Sequence, residues 1–147
     1  MRKRILILHF VAFVVAVSGC GDGKLKTYPV TGTVTYKGEP LEGATVGFTP
    51  KTEGEGHGGF AITNDKGFYQ LQTTRGHVNA GTTPGEYYVT IIKVKMVKTG
   101  RFTPGYGGER IEEEEAVSLI PEKYCSGAGG LTATVVKGKN EFNFDLE

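Results

Sequence analysis

Residues 30–50, VTGTVTYKGEPLEGATVGFTP, carry the clearest strand pattern in the sequence. Its first seven residues alternate apolar or glycine positions with threonine. This period of two places one set of side chains on a buried face and the other toward solvent. The KGEP segment at 37–40 breaks the run, and Ala44, Val46 and Phe48 then form a second inward set. The stretch therefore predicts two β-strands joined by a tight connection.

Shorter strands with the same period follow. Phe60 and Ile62 indicate a third strand. The turn TNDKG at 63–67 contains residues that tolerate left-handed backbone angles, and it leads to a fourth strand with Tyr69 and Leu71 inward. These features extend the predicted β-structure through the first half of the chain.

The run EYYVTIIKVKMV at 86–97 changes its pattern midway. In its first half the odd-numbered residues are apolar, whereas in its second half Val94 and Met96 are apolar instead. The pattern predicts a strand whose buried face switches through a bulge or a strong twist near Ile92.

The closing segment LTATVVKGKNEFNFDLE is predicted to form a hairpin. One arm alternates apolar residues from Leu131 to Val135, the other from Phe142 to Leu146, and GKN at 138–140 supplies the turn. About seven short strands with no convincing amphipathic helix predict an all-β fold, namely an antiparallel β-sandwich.

Three segments resemble the carboxypeptidase-regulatory-like, or transthyretin-like (prealbumin-like), domain family: VTGTVTYKGEPLEGATVGFTP, TNDKGFYQL and TTPGEYYVTI. They are similar to its V-x-G-x-V opening, its P-L-x-G-A-x-V-x-F strand and its T-D-x-x-G-x-[FY]-x-L turn, although the turn is one residue tighter here unless Asn64 takes the place of the aspartate. The resemblance implies a prealbumin-like sandwich that acts as an accessory, binding or structural module. It does not extend to the branch that hydrolyses 5-hydroxyisourate, because the chain ends FDLE rather than Tyr-Arg-Gly-Ser.

The N-terminus has the layout of a signal peptide. MRKR at 1–4 precedes an apolar stretch through Val17 that is shorter than the roughly 20 residues a membrane-spanning helix needs. The residues Val17-Ser18-Gly19-Cys20 resemble the bacterial lipobox, in which the cysteine is acylated. An ordinary secretory signal and a permanent membrane span are the alternatives.

This interpretation divides the chain into three parts. Residues 1–19 are predicted to be a lipoprotein signal peptide, residues 20–27 a lipidated N-terminus and tether beginning at Cys20, and residues 28–147 one β-sandwich domain. The mature protein would be extracytoplasmic and membrane-anchored, on the periplasmic face of the inner or outer membrane or at the cell surface.

Charge argues against nucleic acid as a partner. The chain has 17 basic residues, and removing Arg2, Lys3 and Arg4 with the leader leaves 14 against 16 acidic residues, a formal charge of −2. No overall positive field would then attract a polyanion.

The sequence predicts no catalytic residue, no metal site and no cofactor. His57 and His77 lie in separate glycine-bearing segments without the spacing of a metal pair, and Asp65 is interpreted as a turn residue. The EEEE run at 112–115 is interpreted as a solvated, flexible segment. Cys125 is left either as a small buried hydrophobe or as an exposed thiol.

Residues at about 98–130 are predicted to form a long loop within the domain. In this region Arg101, Phe102 and Tyr106 stand among glycines and a proline, a composition that can present aromatic contact area to a ligand or partner. The favoured alternative for the later part of the loop is that Ile120 and Tyr124 dock on the sandwich and close its edge.

Together these features predict a non-catalytic, lipid-anchored cell-envelope protein that binds or supports an envelope protein or a glycan. One alternative is a carbohydrate-binding module that uses Tyr88, Phe102 and Tyr106. The other is an uncharacterised hydrolase, for which only His57, His77 and nearby carboxylates would supply titratable groups.

Overall fold

The structure is a computed structural model that describes residues 26–73, 81–127 and 130–147. The predicted signal peptide, Cys20, most of the tether and His77 lie outside these ranges. The described residues form twelve strands and a 3₁₀ helix at Glu122–Tyr124. In chain order the strands are β1 (Val30–Tyr36), β2 (Glu39–Pro40), β3 (Thr45–Pro50), β4 (Gly59–Ile62), β5 (Phe68–Gln70), β6 (Gln72–Thr73), β7 (Gly85–Ile92), β8 (Val94–Pro104), β9 (Arg110–Ser118), β10 (Thr132–Val135), β11 (Asn140–Glu141) and β12 (Phe144–Leu146).

Strand β1 is the centre of the first sheet. On one side its two halves pair in parallel with β11 and β12, and on the other side they pair antiparallel with β5 and β2. Val30 and Val34 are fully buried while the threonines between them are partly exposed, which confirms the alternation predicted from the sequence. The sheet is mixed rather than wholly antiparallel.

The second sheet is antiparallel, with strand order β10-β7-β3-β4-β6. Its inward residues include the predicted sets on β3 and β7, and they pack against the inward residues of the first sheet. The chain crosses from one sheet to the other at Leu71, between β5 and β6, and this side chain is fully buried. The molecule is therefore nearly all β, with a β-sandwich-like fold. The core residues are Val30, Val34, Ala44, Val46, Phe48, Ala61, Tyr69, Leu71, Tyr87, Val89, Ile91, Ile120, Tyr124, Ala133, Val135, Phe144 and Leu146.

The predicted C-terminal hairpin is wrong. Strand β10 pairs with β7 in the second sheet, whereas β11 and β12 pair with β1 in the first. The residues at 138–140 therefore connect two sheets rather than two arms of a hairpin. Both arms still place their alternating apolar residues in the core, because each lies at the side of a different buried sheet.

The predicted long loop at about 98–130 is also wrong over most of its length. Strands β8 and β9 form a separate two-stranded antiparallel ribbon, and none of its residues is buried. Val94 and Met96 are 46% and 59% exposed, so the strand does not continue with its other face buried. Instead the chain leaves the sandwich after Ile92. For this reason the apolar residues shift from odd-numbered to even-numbered positions there.

The segment after the ribbon packs on the sandwich, which confirms the predicted docking of Ile120 and Tyr124. Ile120 is 4% exposed and Tyr124 is 7% exposed, and both belong to the core. The backbone N–H of Glu147 donates to the Tyr124 hydroxyl at 3.0 Å, which lowers the pKa of that hydroxyl. The 3₁₀ helix is thereby joined to the end of β12.

Candidate functional site

The three residues predicted to contact a ligand or partner all lie toward the outer end of the ribbon. Arg101 and Phe102 belong to β8, and Tyr106 lies in the turn that joins β8 to β9. The Gly105 N–H donates to the Glu109 carbonyl oxygen at 2.6 Å and closes this turn. Tyr106 is completely exposed, with a relative accessibility of 105%. The fold thus brings the three residues to one end of one element.

A register shift sets the directions of these side chains. The regular pairing of β8 with β9 is interrupted between Lys98 and Phe102, where a bulge places extra residues in β8. Beyond the bulge, the Arg110 guanidinium carbon stands 4.6 Å from the centroid of the Phe102 ring. Arg101 is the preceding residue, and successive side chains of a strand point to opposite faces. The side chains of Phe102 and Arg101 therefore lie on opposite faces of the ribbon.

The ribbon contains a series of cross-strand charges. Lys98 Nζ lies 3.0 Å from Glu112 Oε2, and Arg101 Nε lies 3.2 Å from Glu113 Oε2. The hydrogen bond from Lys98 to Glu112, followed by their Coulombic attraction, raises the pKa of Lys98. The EEEE run is therefore not the flexible segment predicted. It forms much of β9, because β8 places cations beside it.

A shallow groove of about 630 Å³ lies where the ribbon joins the sandwich. Ile92 and Val94 line one side, and residues around the 3₁₀ helix line the other, including Lys123 and Cys125. The Cys125 thiol is half-buried and lies 3.9 Å from the Ser118 hydroxyl. Cys125 is therefore neither fully buried nor fully exposed, the two alternatives that the sequence leaves open.

His57 contributes its backbone to a buried hydrogen-bond cluster. Its N–H donates to Thr83 Oγ1 at 3.0 Å, and its carbonyl oxygen accepts from Thr82 Oγ1. The buried Tyr87 hydroxyl donates to the Thr83 carbonyl at 2.8 Å, an arrangement resembling the tyrosine corner of other β-sandwiches. The alternation of β7 predicts only that Tyr87 points inward, not that its hydroxyl makes these hydrogen bonds. The TTPGEY segment carries the signal, because it places two hydroxyls just before an inward tyrosine.

The described residues contain neither a metal-binding cluster nor a membrane-spanning helix. No three His, Cys, Asp or Glu side chains within them are grouped so as to hold a metal ion. None of the helical segments described is long and apolar enough to cross a membrane.

Comparisons with known proteins give remote structural similarity. No family model matches the chain, and no curated protein matches it. A DUF3823 family protein from Parabacteroides merdae is 16% identical, with a TM-score of 0.39, over 83% of this chain and 46% of that one. A 9R-lipoxygenase from Cyanothece is 10% identical, with a TM-score of 0.39, over 82% of this chain and 16% of that one.

A third similar structure is the chlorocatechol 1,2-dioxygenase from Pseudomonas putida. It is 16% identical, with a TM-score of 0.34, over 85% of this chain and 60% of that protein. The chain thus spans less than two thirds of the length of each of these three proteins. The strand pairing shows that the described residues form an all-β, sandwich-like domain with a separate two-stranded ribbon.

Proposed function

We propose that this chain is a lipid-anchored, non-catalytic protein of the cell envelope that binds or supports another envelope component. The lipobox-like VSGC sequence supports acylation of Cys20. The inward positions and turns shared with transthyretin-like domains support a scaffold of that kind. Two or three acyl chains on one residue hold a protein to a bilayer firmly, because each buried methylene contributes about 0.8 kcal/mol.

The observation that supports the proposal is that Tyr28, near the first described residues, and the ribbon lie at opposite ends of the sandwich. Tyr28, just after the tether, forms a β-bridge with Thr82. Strand β7 begins three residues after Thr82 and runs for eight residues to Ile92, a length of about 26 Å. The ribbon begins immediately beyond that end. An anchor at Cys20 therefore leaves the ribbon at the far end from the tether.

The ribbon has the chemistry of a protein-binding element. Within the described residues, β8 and β9 pair only with each other, so the outer edge of each strand presents unpaired backbone N–H and C=O groups. A strand from another protein can pair with such an edge. Exposed apolar side chains, Met96, Phe102 and Ile111 among them, add contact area beside it.

Site-directed photocrosslinking in intact cells tests this role. A photoreactive amino acid at Tyr106 is expected to capture one envelope protein, whereas the same amino acid at Lys139, on the sandwich, is not. Lys139 suits the control because it is an exposed residue of the connection between β10 and β11. Equal capture from both positions, or capture from neither, would contradict a binding role for the ribbon.

Mass spectrometry of the mature N-terminus tests the anchor separately. We expect residues 1–19 to be absent and Cys20 to carry a diacylglyceryl group. Cys20→Ser should release the protein from the membrane fraction. An unmodified Cys20 on the mature chain would contradict the anchor and leave the ribbon test intact.

A further inference from the structure

The outer face of the second sheet is uncharged over most of its area. Its outward positions on β3 and β7 alternate with the buried core positions, and Glu86 is the one charged residue among the outward positions of the five strands. Lys51 lies 3.6 Å from the Glu86 carboxylate, so this charge is paired at one end of the sheet. The outward residues are Thr45, Gly47, Thr49, Phe60, Ile62, Gln72, Glu86, Tyr88, Thr90, Ile92, Thr132 and Thr134. We call this surface the threonine face.

Two aromatic side chains lie on opposite sides of β3 on the threonine face. Phe60 is directly opposite Gly47, and Tyr88 is directly opposite Thr49. Phe60 is 45% exposed and Tyr88 is 41% exposed. Two strand spacings separate β4 from β7, so the aromatic residues stand roughly 10 Å apart across the sheet and are offset by two residues, about 7 Å, along it.

Gly47 lies beside Phe60 on this face and has Thr90 on its other side. A Cβ on Gly47 would stand 2.7 Å from the Thr90 hydroxyl oxygen, so this hydroxyl occupies the space that a side chain at Gly47 would take. Phe60, Gly47 and Thr90 therefore form one row across the sheet, and Tyr88 lies two residues from Thr90 along β7.

The threonine hydroxyls of this face are available to a ligand. Thr45, Thr49, Thr90 and Thr132 make no side-chain hydrogen bond with another described residue. Each hydroxyl supplies one donor and two acceptor lone pairs. The face thus combines exposed aromatic area, free hydroxyls and a lack of charge along the middle of the sheet.

We propose that the threonine face binds a neutral polysaccharide. The C–H face of a sugar ring packs against an aromatic side chain, and the hydroxyls at its rim hydrogen-bond to other hydroxyls. A chain spanning Phe60 and Tyr88 would follow a diagonal path past Gly47 and would meet the Thr90 hydroxyl, which lies over that glycine. Lys51 Nζ stands 5.6 Å from the centroid of the Tyr88 ring, but this cation is paired with Glu86. A face whose outward positions carry no unpaired charge favours an uncharged ligand, because no free cation is present to compensate an acidic sugar.

A second copy of the chain fits this face less well than a glycan does. Face-to-face packing of two such sheets would remove the threonine hydroxyls from water, and a buried hydroxyl without a partner destabilises a complex. A polysaccharide supplies a hydroxyl partner at each of these positions. The site is on the second sheet and does not depend on the ribbon or on the anchor.

Binding is measured by titrating the full mature protein with neutral oligosaccharides. The probes are β-1,4-linked glucose and N-acetylglucosamine hexamers, followed by an array of neutral and acidic glycans. Phe60→Ala and Tyr88→Ala are each expected to weaken binding by about three- to tenfold, as expected for the loss of one aromatic contact. Phe68→Ala is the matched control, because Phe68 is 42% exposed but lies on β5 in the other sheet.

Thr90→Val separates the proposal from self-association. It keeps the shape of the side chain and removes its hydroxyl, so glycan binding should weaken, whereas association of two apolar faces should strengthen. Thermal unfolding of each variant confirms that it is folded. The proposal is overturned if no neutral glycan on the array binds, if Phe68→Ala weakens binding as much as Phe60→Ala, or if Thr90→Val promotes dimers and leaves glycan binding unchanged.

Discussion

At the scale of single residues, Gly32 shows why the V-x-G-x-V pattern requires a glycine. A Cβ on Gly32 would stand 1.8 Å from the Phe142 carbonyl oxygen and 3.0 Å from the Tyr69 ring. The Phe142 carbonyl lies between β11 and β12, where the strand beside β1 is interrupted. The close approach of the two backbones leaves no room for a side chain.

Gly32→Ala is therefore expected to destabilise the protein by about 3 kcal/mol, because a backbone carbonyl has to move to admit the methyl group. Urea unfolding monitored by circular dichroism measures the loss. Gly47→Ala is the control, since the nearest atom there is a threonine hydroxyl that can rotate away. Equal losses for the two variants would show that backbone crowding at Gly32 is not the cause.

Tyr69 links the same carbonyl to the pH dependence of stability. Its hydroxyl donates to the Phe142 carbonyl oxygen at 2.8 Å, and burial raises the pKa of this phenol. In the unfolded chain a tyrosine ionises near pH 10. Above about pH 10 the unfolded state loses a proton that the folded state keeps, so stability falls by up to about 1.4 kcal/mol per pH unit.

Tyr69→Phe tests this coupling. At pH 7 the variant is expected to be less stable by about 1 kcal/mol, because one buried hydrogen bond is lost. Above pH 10 the difference between the two proteins should shrink, since the variant has no phenol to ionise at this position. Urea unfolding at pH 7 and at pH 11 measures both differences, and a gap that stays constant would contradict a raised pKa for Tyr69.

At the scale of elements, the ribbon is stabilised by cross-strand pairs rather than by a core. Lys98→Glu would place like charges beside Glu112 and should speed amide exchange throughout β8 and β9. Glu112→Lys in the same chain should restore slow exchange, because the pair is re-formed with its signs reversed. Hydrogen exchange by mass spectrometry reports each element separately, and faster exchange in β1 or β3 would show that the ribbon and the sandwich unfold together.

The same element shows what could be predicted from the sequence. Strict alternation identified β1, β3 and the first half of β7, because their inward positions all meet one core. The ribbon was missed because both of its faces are exposed, and no buried face imposes an apolar period on β8. The C-terminal arms were recognised as strands but paired wrongly, since alternation records which face is buried and does not record which strand lies beside it.

The candidate site was predicted in composition but not in arrangement. Arg101, Phe102 and Tyr106 were selected because they stood among glycines, and the structure does place them on one exposed end. The carbohydrate-binding alternative groups Tyr88 with Phe102 and Tyr106. In the structure Tyr88 lies on the second sheet, apart from the other two residues. The threonine face was missed because Phe60 is an aromatic residue in an alternating strand, and only the pairing with Gly47 shows that it faces outward.

At the scale of the whole molecule, the sandwich and the ribbon are expected to be separable. No residue of β8 or β9 is buried, so removing the ribbon takes no side chain from the core, although it does remove the hydrogen bond that the Ser118 hydroxyl donates to the Ile120 carbonyl oxygen at 2.7 Å. Replacing residues 94–118 with a short Gly-Ser linker should leave the β-sheet circular dichroism spectrum intact and shift the melting temperature by only a few degrees. Leu119 and Ile120 stay in place so that the 3₁₀ helix can still close the sandwich, and loss of cooperative unfolding would contradict this independence.

The anchored molecule is expected to hold the outer end of the ribbon away from the bilayer. With Cys20 acylated as proposed, Lys26 is six residues from the lipid, whereas Tyr106 lies in the turn at the outer end of the ribbon, which extends for about 30 Å along the nine residues of β9. Fluorophores are placed on Lys26→Cys and on Tyr106→Cys in a Cys125→Ser background, and the lipidated proteins are inserted into vesicles that contain headgroup-labelled quencher lipids. Quenching is expected to be strong at position 26 and weak at position 106. Strong quenching at position 106 would mean that the ribbon folds back to the bilayer, and its exposed aromatic residues would then be membrane contacts rather than the partner-binding end of the molecule.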